Sequence, residues 1–465
     1  MVPRIAVVIV NWNKKNDVLS LLTELQNVPK PGFDVFVVDN ASDDGSVAAI
    51  RDKFPNVTLI ISKINIGGTG GFNRGIDYVC QKNRYKYIWL LDNDSKIKND
   101  TLSELVSEME SDSQIGLSGS RIVDIDNKEM TVETGGNFRW DIIGSVPVNR
   151  NTTENLFYTI DVDYVAICSA LVRVEALKQV GLMDDRLFLF WDDMDWGLCF
   201  KKHGFKVVTV SKSIVYHGSF TERNRGDVTD YYYGVRNAFL VYTKHTNFTK
   251  RALIFYRTLK DWVRTYVFFE THNRKYASKL MVTALKDYFN NRWGKFISNH
   301  DDREMNTPGT NFTTINKGYN FKKILAPVSG ASFQDIENML EALKTTYPEA
   351  VITILVHNDR IDYYDNYRTS ILEREKVKTL RYALNKFIQL RREKFDCVAT
   401  ITPSPFIYTA KHTLFYHKTD DVITLHHTGF MSFAKLCAAL CWGEIFAHLL
   451  FPILLLKSIQ YQNKS

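Results

Sequence analysis

An α/β fold with a parallel sheet is predicted for the first 125 residues by two observations. Short apolar runs alternate with segments of helical period, and the apolar runs lead into polar clusters. The runs 5–10, 33–38, 57–61 and 87–91 read as buried strands, and the segments 17–26, 46–53, 71–81 and 101–109 read as helices. In open sheets of this kind ligands sit beyond the carboxyl ends of the strands. Those ends carry Asn11-Trp12-Asn13, then Asp39-Asn40-Ala41-Ser42-Asp43-Asp44-Gly45, then Asp92-Asn93-Asp94.

The segment entering the third helix starts at Asn65 and sets five glycines, Gly67, Gly68, Gly70, Gly71 and Gly75, around Arg74. Glycine lets backbone approach a diphosphate or ribose closely, and Arg offers a planar fork of donors. No Lys-Ser/Thr pair follows the glycines, which argues against an ATPase loop.

Asp192, Asp193 and Asp195 lie among Phe188, Phe190, Trp191 and Trp196, with His217 following 24 positions after Asp193. Three carboxylates so close repel one another and resist burial unless a cation or a substrate hydroxyl compensates them. With the Asp92/Asp94 pair, the expectation is a metal site facing a general base. Plainer readings stand beside it. Asp92 or Asp94 could cap the helix that begins near Asn99. The later aspartates could form a solvated first helical turn, His217 could be a core histidine after the strand 207–216, and the aromatics could be core. Aromatic faces also stack on sugar rings, so Trp191 is the expected acceptor contact.

At 465 residues and 45% hydrophobic, the chain has room for two or three domains. The formal charge of +7 gives no reason to expect a nucleic-acid partner. Between Lys244 and Lys295, however, twelve Lys/Arg face three Asp/Glu, and such a segment suits an anionic membrane surface. Six scattered cysteines fit a reducing cytosol. The N-terminal run is too short for a secretory signal, and no stretch of about 18 uncharged apolar residues occurs. A cytoplasmic protein, peripheral at the inner membrane face, is therefore expected. The predicted organisation is a catalytic domain over 1–240, a basic aromatic helical extension over 241–300, a linker over 301–320 containing Pro308-Gly309, and an accessory α/β domain over 321–465. That last domain reads as strands 323–327, 350–356 and 397–401 with helices 333–346 and 376–392. Its amphipathic tail, 433–461, reads as a helix pair split by Pro452, needing a membrane or a second subunit to cover it.

Taken as an ordered set, Val10-Asn11-Trp12-Asn13, Asp39-Asn40-Ala41-Ser42, the 65–75 segment, Asp92-Asn93-Asp94, Trp191-Asp192-Asp193 and His217 resemble the inverting nucleotide-sugar glycosyltransferases of family 2. Within them the chain is most similar to the bacterial rhamnosyltransferase and galactofuranosyltransferase branch. The likeness covers about residues 4–300 and includes Tyr231-Tyr232-Tyr233-Gly234-Val235-Arg236-Asn237. It implies a GT-A-type fold for that stretch, while the α/β unit after residue 321 separately resembles half of the Rossmann-like domain pair of another class of glycosyltransferases. The family 2 likeness further implies that Asp39 binds the pyrimidine with Arg74 nearby, that Asn11, Asn65 and Gly71 line the donor site, and that Asp92 lies near the ribose or the ion. Asp94 and His217 would complete a Mg²⁺ or Mn²⁺ site, Asp193 would be the general base, and Asp192 would position the acceptor hydroxyl. Asn93 departs from relatives that carry Asp there. The implied donor is a UDP- or dTDP-sugar, rhamnose or galactofuranose, and the implied acceptor a polyprenyl-linked saccharide. The alternatives are transfer of a pyranose such as glucose or N-acetylglucosamine, and a non-catalytic scaffold subunit.

Overall fold

A computed structural model describes residues 4–29, 32–150, 152–218, 228–271, 275–297, 319–328, 333–357, 370–374, 388–401, 410–417, 422–427, 445 and 447–459. The chain opens as β1 (Ile5–Asn11), α1 (Lys15–Gln26), β2 (Phe33–Asp39), α2 (Ser46–Lys53), β3 (Thr58–Ile61), α3 (Gly67–Cys80) and β4 (Tyr87–Asp92). A short β5 (Lys96–Ile97), α4 (Thr101–Ser111), β6 (Ile115–Asp124), β7 (Thr131–Glu133) and the hairpin β8 (Gly136–Arg139) and β9 (Gly144–Pro147) follow. Next come β10 (Thr159–Asp161), β11 (Ser169–Arg173), α5 (Val174–Val180), α6 (Asp192–Lys202) and β12 (Lys206–His217).

The main sheet runs β10-β12-β6-β11-β4-β1-β2-β3. β1 to β4 pair in parallel as expected, but β11 inserts antiparallel between β4 and β6. Side-chain alternation divides the core. Ile5, Val7 and Ile9 pack with Val18, Leu21, Leu102 and Leu105 from α1 and α4. Ala6 and Val8 face Phe72, Ile76, Trp196 and Phe200 from α3 and α6.

The glycine-rich segment is a helix rather than a loop: α3 begins at Gly67. Helix propensity opposes this, and packing overrides it. A Cβ on Gly71 would lie 2.6 Å from Val10 Cγ1, and one on Gly75 would lie 2.4 Å from Val8 Cγ1, so the bare backbone lets α3 rest directly on β1. Gly75→Ala is expected to destabilise the fold by about 1–3 kcal/mol through this overpacking, read as a lower urea midpoint at unchanged slope.

Beyond the sheet, a π-helical turn (Val228–Tyr233) leads into α7 (Gly234–His245), α8 (Phe248–Thr271) and α9 (Lys275–Phe289). The boundary expected at residue 240 falls inside α7. The second unit holds β13 (Lys323–Pro327), α10 (Phe333–Thr346), β14 (Val351–His357), β15 (Ser370–Arg374), β16 (Cys397–Thr400), β17 (His412–His417) and β18 (Val422–His427), in the order β15-β14-β13-β16-β17-β18. All its pairs are parallel except β17 with β18. Of the helix expected over 376–392, residues 388–392 are helical and 376–387 lie outside the described residues, as do most of the linker and of the tail. The described end of the tail, 447–459, is helical straight through Pro452, so no break occurs there. One apolar cluster joins Phe255, Leu259 and Val263 of α8 to Leu325 and Leu355 of the second sheet and to Ala447 and Leu454 of the tail.

Candidate active site

Asp92 ends β4 and His217 ends β12, two strands that are not neighbours in the sheet. A turn closed by Ser95 N–H donating to the Asp92 carbonyl at 3.2 Å reverses the chain. It delivers β5 antiparallel to the end of β12, pairing Ile97 with Val215 and Lys96 with Tyr216. Ser95 Oγ–H donates to the Cys168 carbonyl at 2.9 Å and pins the turn to the loop before β11. As a result His217 Nε2 stands 3.3 Å from Asp94 Oδ1 and 3.5 Å from Asp92 Oδ2. One ligand-type atom from each residue lies within 4.8 Å of the others. His217 is buried while Asp92 and Asp94 are partly open, so the set has a closed floor and an accessible side. The capping alternative does not hold, because the residue that precedes α4 is Asp100. Two hard oxygen donors and one imidazole suit Mg²⁺ or Mn²⁺.

Polar residues link this cluster to the end of β2. Buried Asp39 accepts from Ser42 N–H at 3.0 Å and from Asn11 Nδ2 at 3.4 Å. Asn11 Oδ1 in turn accepts from Asn93 Nδ2 at 3.0 Å. A carboxylate at position 93 has no proton to donate, which gives the Asn93 departure a physical reason. Arg74 donates to the Ile61 carbonyl at 3.1 Å and to Ser62 Oγ at 3.4 Å, while Ser62 N–H donates to the Asp39 carbonyl. Its exposed guanidinium therefore stands at the same sheet edge as Asp39. Asn65 Oδ1 accepts from Gly67 N–H and from Asn40 Nδ2, and so shapes the entry to α3. Gly71 is buried against Val10; its bare Cα has a packing reason.

Across from these residues, α6 begins with Asp192 and Asp193 in its first turn. Thr69 Oγ1–H donates to Asp192 Oδ2 at 2.7 Å, tying α6 to α3. Burial pushes the Asp192 carboxyl up, and the nearby charge of Asp92 adds to the rise. Asp193 Oδ1 accepts from Met194 N–H at 2.7 Å. Trp191 packs edge-on against Tyr242, with ring centroids 5.6 Å apart, and its indole N–H donates to the Gly234 carbonyl at 3.2 Å. Trp191 is half-buried in this aromatic group, which leaves part of the ring toward solvent.

Asp195 belongs to a different structure from its neighbours. It is buried, 2.6 Å from Lys244 Nζ and 2.7 Å from His245 Nε2 on α7. Cys199 also lies near, but burial pushes its thiol up to about 11 and Lys244 already compensates the carboxylate, so the trio reads as a helix-to-helix tie. Sequence reasoning missed this tie, and also missed Thr69. It noticed the segment 231–237 without assigning a role to Arg236 or Asn237, which are fully buried beside the acidic turn.

Comparison with known proteins finds glycosyltransferases. Galactofuranosyltransferase GlfT2 of Mycobacterium tuberculosis is 23% identical over 277 residues, covering 54% of this chain and 43% of that protein. The amylovoran biosynthesis glycosyltransferase AmsB of Erwinia amylovora is 23% identical over 263 residues, covering 55% of this chain and 82% of that protein. This chain thus spans less than half the length of the mycobacterial relative. Among solved structures, the mannosyltransferase PcManGT from Pyrobaculum calidifontis in complex with GDP-Man and Mn²⁺ is 14% identical with a TM-score of 0.39, over 66% of this chain and 79% of that one. Residues 3–228 match the family described as "Glycosyltransferase like family 2", and this stretch of the chain is a family 2 glycosyltransferase domain.

Proposed function

We propose that the chain transfers a sugar, galactofuranose or rhamnose, from a UDP- or dTDP-sugar to a polyprenyl-linked saccharide, with inversion at the anomeric carbon. The observation that carries this reading is the convergence of Asp92, Asp94 and His217 at one end of the sheet, with the acidic turn of α6 beside it. A Mg²⁺ or Mn²⁺ ion held by those three residues would neutralise the charge that develops on the diphosphate leaving group. The chain's own groups do the rest. Asp39 and Arg74 hold the base and ribose end of the donor. Asp193 accepts the proton of the acceptor hydroxyl as that oxygen bonds the anomeric carbon, and one base suffices for a single displacement. Asp192, held by Thr69, stands beside it to orient the acceptor, and the half-open ring of Trp191 is the sugar contact.

The galactofuranose preference is supported by the galactofuranosyltransferase relatives, and rhamnose stands beside it on the sequence resemblance. Among the described residues no helix is long and apolar enough to cross a membrane, so the lipid-linked acceptor would be met from the surface, where the cationic segment 244–295 assists. Release of nucleoside diphosphate from a panel of UDP- and dTDP-sugars, with and without Mn²⁺ or Mg²⁺ and with a polyprenyl-linked acceptor, tests this reading. Metal-dependent turnover of UDP-galactofuranose or dTDP-rhamnose is the expected result. Turnover of UDP-glucose or UDP-N-acetylglucosamine instead would reject the sugar assignment, and no turnover with any donor would reject the transferase.

A further inference from the structure

The turn that delivers Asp192 and Asp193 has an unusual backbone. Phe188, Phe190 and Trp191 have φ values of 64°, 71° and 76°, a region that side chains other than glycine enter rarely. None of them is Gly, Asn or Asp, so the local sequence does not supply this shape, and something outside the turn must hold it.

Two fully buried polar residues on α7 are placed to do so. Asn237 Nδ2 lies 2.9 Å from the Leu187 carbonyl, 3.0 Å from that of Leu189 and 2.9 Å from that of Phe190. One amide group, its two N–H shared among three carbonyls, thus spans the turn. Arg236 donates through Nη2 to the carbonyls of Arg186 and Leu187, at 3.3 and 3.2 Å. It also donates through Nε to Asn237 Oδ1 at 3.0 Å, and this contact sets the direction in which the Asn237 amide points. The guanidinium is itself held between the rings of Tyr232, Tyr233 and Trp293. On the opposite side Thr69 N–H donates to the Phe188 carbonyl at 3.3 Å, so the turn is gripped from α3 and from α7.

We infer that Asn237, oriented by Arg236, is a positioning residue that holds the 187–191 turn in its left-handed form and thereby aims Asp192 and Asp193 at the Asp92–Asp94–His217 cluster. Asn237 touches neither the cluster nor the carboxylates, so it acts only through the turn. The inference rests on the glycosyl-transfer reading for its catalytic consequence, and on the hydrogen bonds alone for its structural one. It also gives a physical reason why Arg and Asn stand together here: an acid at 237 would set a carboxylate against three carbonyl oxygens.

The test is Asn237→Asp, which keeps shape and replaces the donor by an acceptor, in the full-length protein. Donor turnover is expected to fall about 100-fold in kcat with little change in donor KM, because the carboxylates are misplaced while the donor site is intact. Amide hydrogen exchange across 186–196 is expected to rise by at least about tenfold, with exchange across β1 and β4 unchanged. Adding Phe190→Gly, which adopts positive φ without help, is expected to restore part of kcat, a rescue that a purely structural role for Asn237 would not show. Should Asn237→Asp fail to fold, Asn237→Ser, which keeps a shorter donor, is read in the same way. Unchanged kcat and unchanged exchange in 186–196, in the presence of an active wild type, would overturn the inference. A wild type inactive on every donor, with the exchange effect still present, would instead sink the transferase reading and leave the structural role of Asn237 standing.

Discussion

Asp193→Asn is expected to lower transfer by about 10²–10⁴-fold, or roughly 3–5 kcal/mol of barrier, while nucleoside diphosphate binds with wild-type affinity. The size follows from the role assigned to the group. An acceptor hydroxyl is a poor nucleophile, and the carboxamide that replaces Asp193 has the same shape but cannot take its proton. The specificity of the effect follows from geometry. Asp39 is held by Ser42 and Asn11, Arg74 by Ile61 and Ser62, and none of these contacts involves α6. The two quantities are separable by titration calorimetry with UDP and by a diphosphate-release assay. Equal loss of both would place Asp193 in the donor site and leave the base unassigned.

The fold around this residue was legible in the sequence wherever the signal is local. The runs that became β1 and β4 are continuous and apolar because both faces of the sheet are covered there, and each leads into polar residues that build the site. β6 was not seen. Its sequence, IGLSGSRIVD, is broken by two glycines and two serines and gives no continuous apolar run, yet every residue is buried. Gly116 and Gly119 are there because a Cβ would meet Phe200 at 2.7 Å and Val165 at 2.5 Å, contacts made by residues far along the chain. The direction of β11 was equally hidden, since an apolar run carries no sign of which neighbour it will meet.

The site divides in the same way. Asp92, Asp94 and Asp193 stand out because carboxylates at strand ends and helix starts are costly unless used. Asp195 stands out for the same reason and is used differently, by Lys244 and His245 some 50 positions later. No local pattern distinguishes its role from that of Asp193. What separates them is the helical period: two positions along α6 turn Asp195 to the far side of the helix from Asp193 and toward α7. The glycines of α3 mislead in the opposite sense. Their spacing suggests a cradle for phosphate, but Gly71 and Gly75 meet valines of β1, and Gly67, at φ 82°, meets the Phe188 carbonyl. The glycine pattern therefore records how closely α3 approaches the sheet and the acidic turn.

Asp94→Ala is expected to abolish measurable Mn²⁺ binding and with it metal-dependent turnover. Groups that only support metal ligands typically account for about 10–100-fold in affinity, so loss of a direct ligand from a set of three should exceed about 100-fold. Linkage gives a readout that does not depend on catalysis. Mn²⁺ at about 100 times its dissociation constant stabilises the native wild type by about 2.7 kcal/mol, because the three ligands converge only when β4, β5 and β12 are folded. The wild-type thermal midpoint should therefore rise on adding Mn²⁺, and that of Asp94→Ala should not. The metal-free proteins are expected to rank in the other order. Asp92 and Asp94 are brought together against a buried imidazole, and removing one carboxylate relieves their mutual repulsion, so Asp94→Ala without metal should melt at or above the wild type. A metal-free Asp94→Ala that melts well below the wild type would show instead that the Asp94–His217 contact holds the β5 turn by itself, with no ion required.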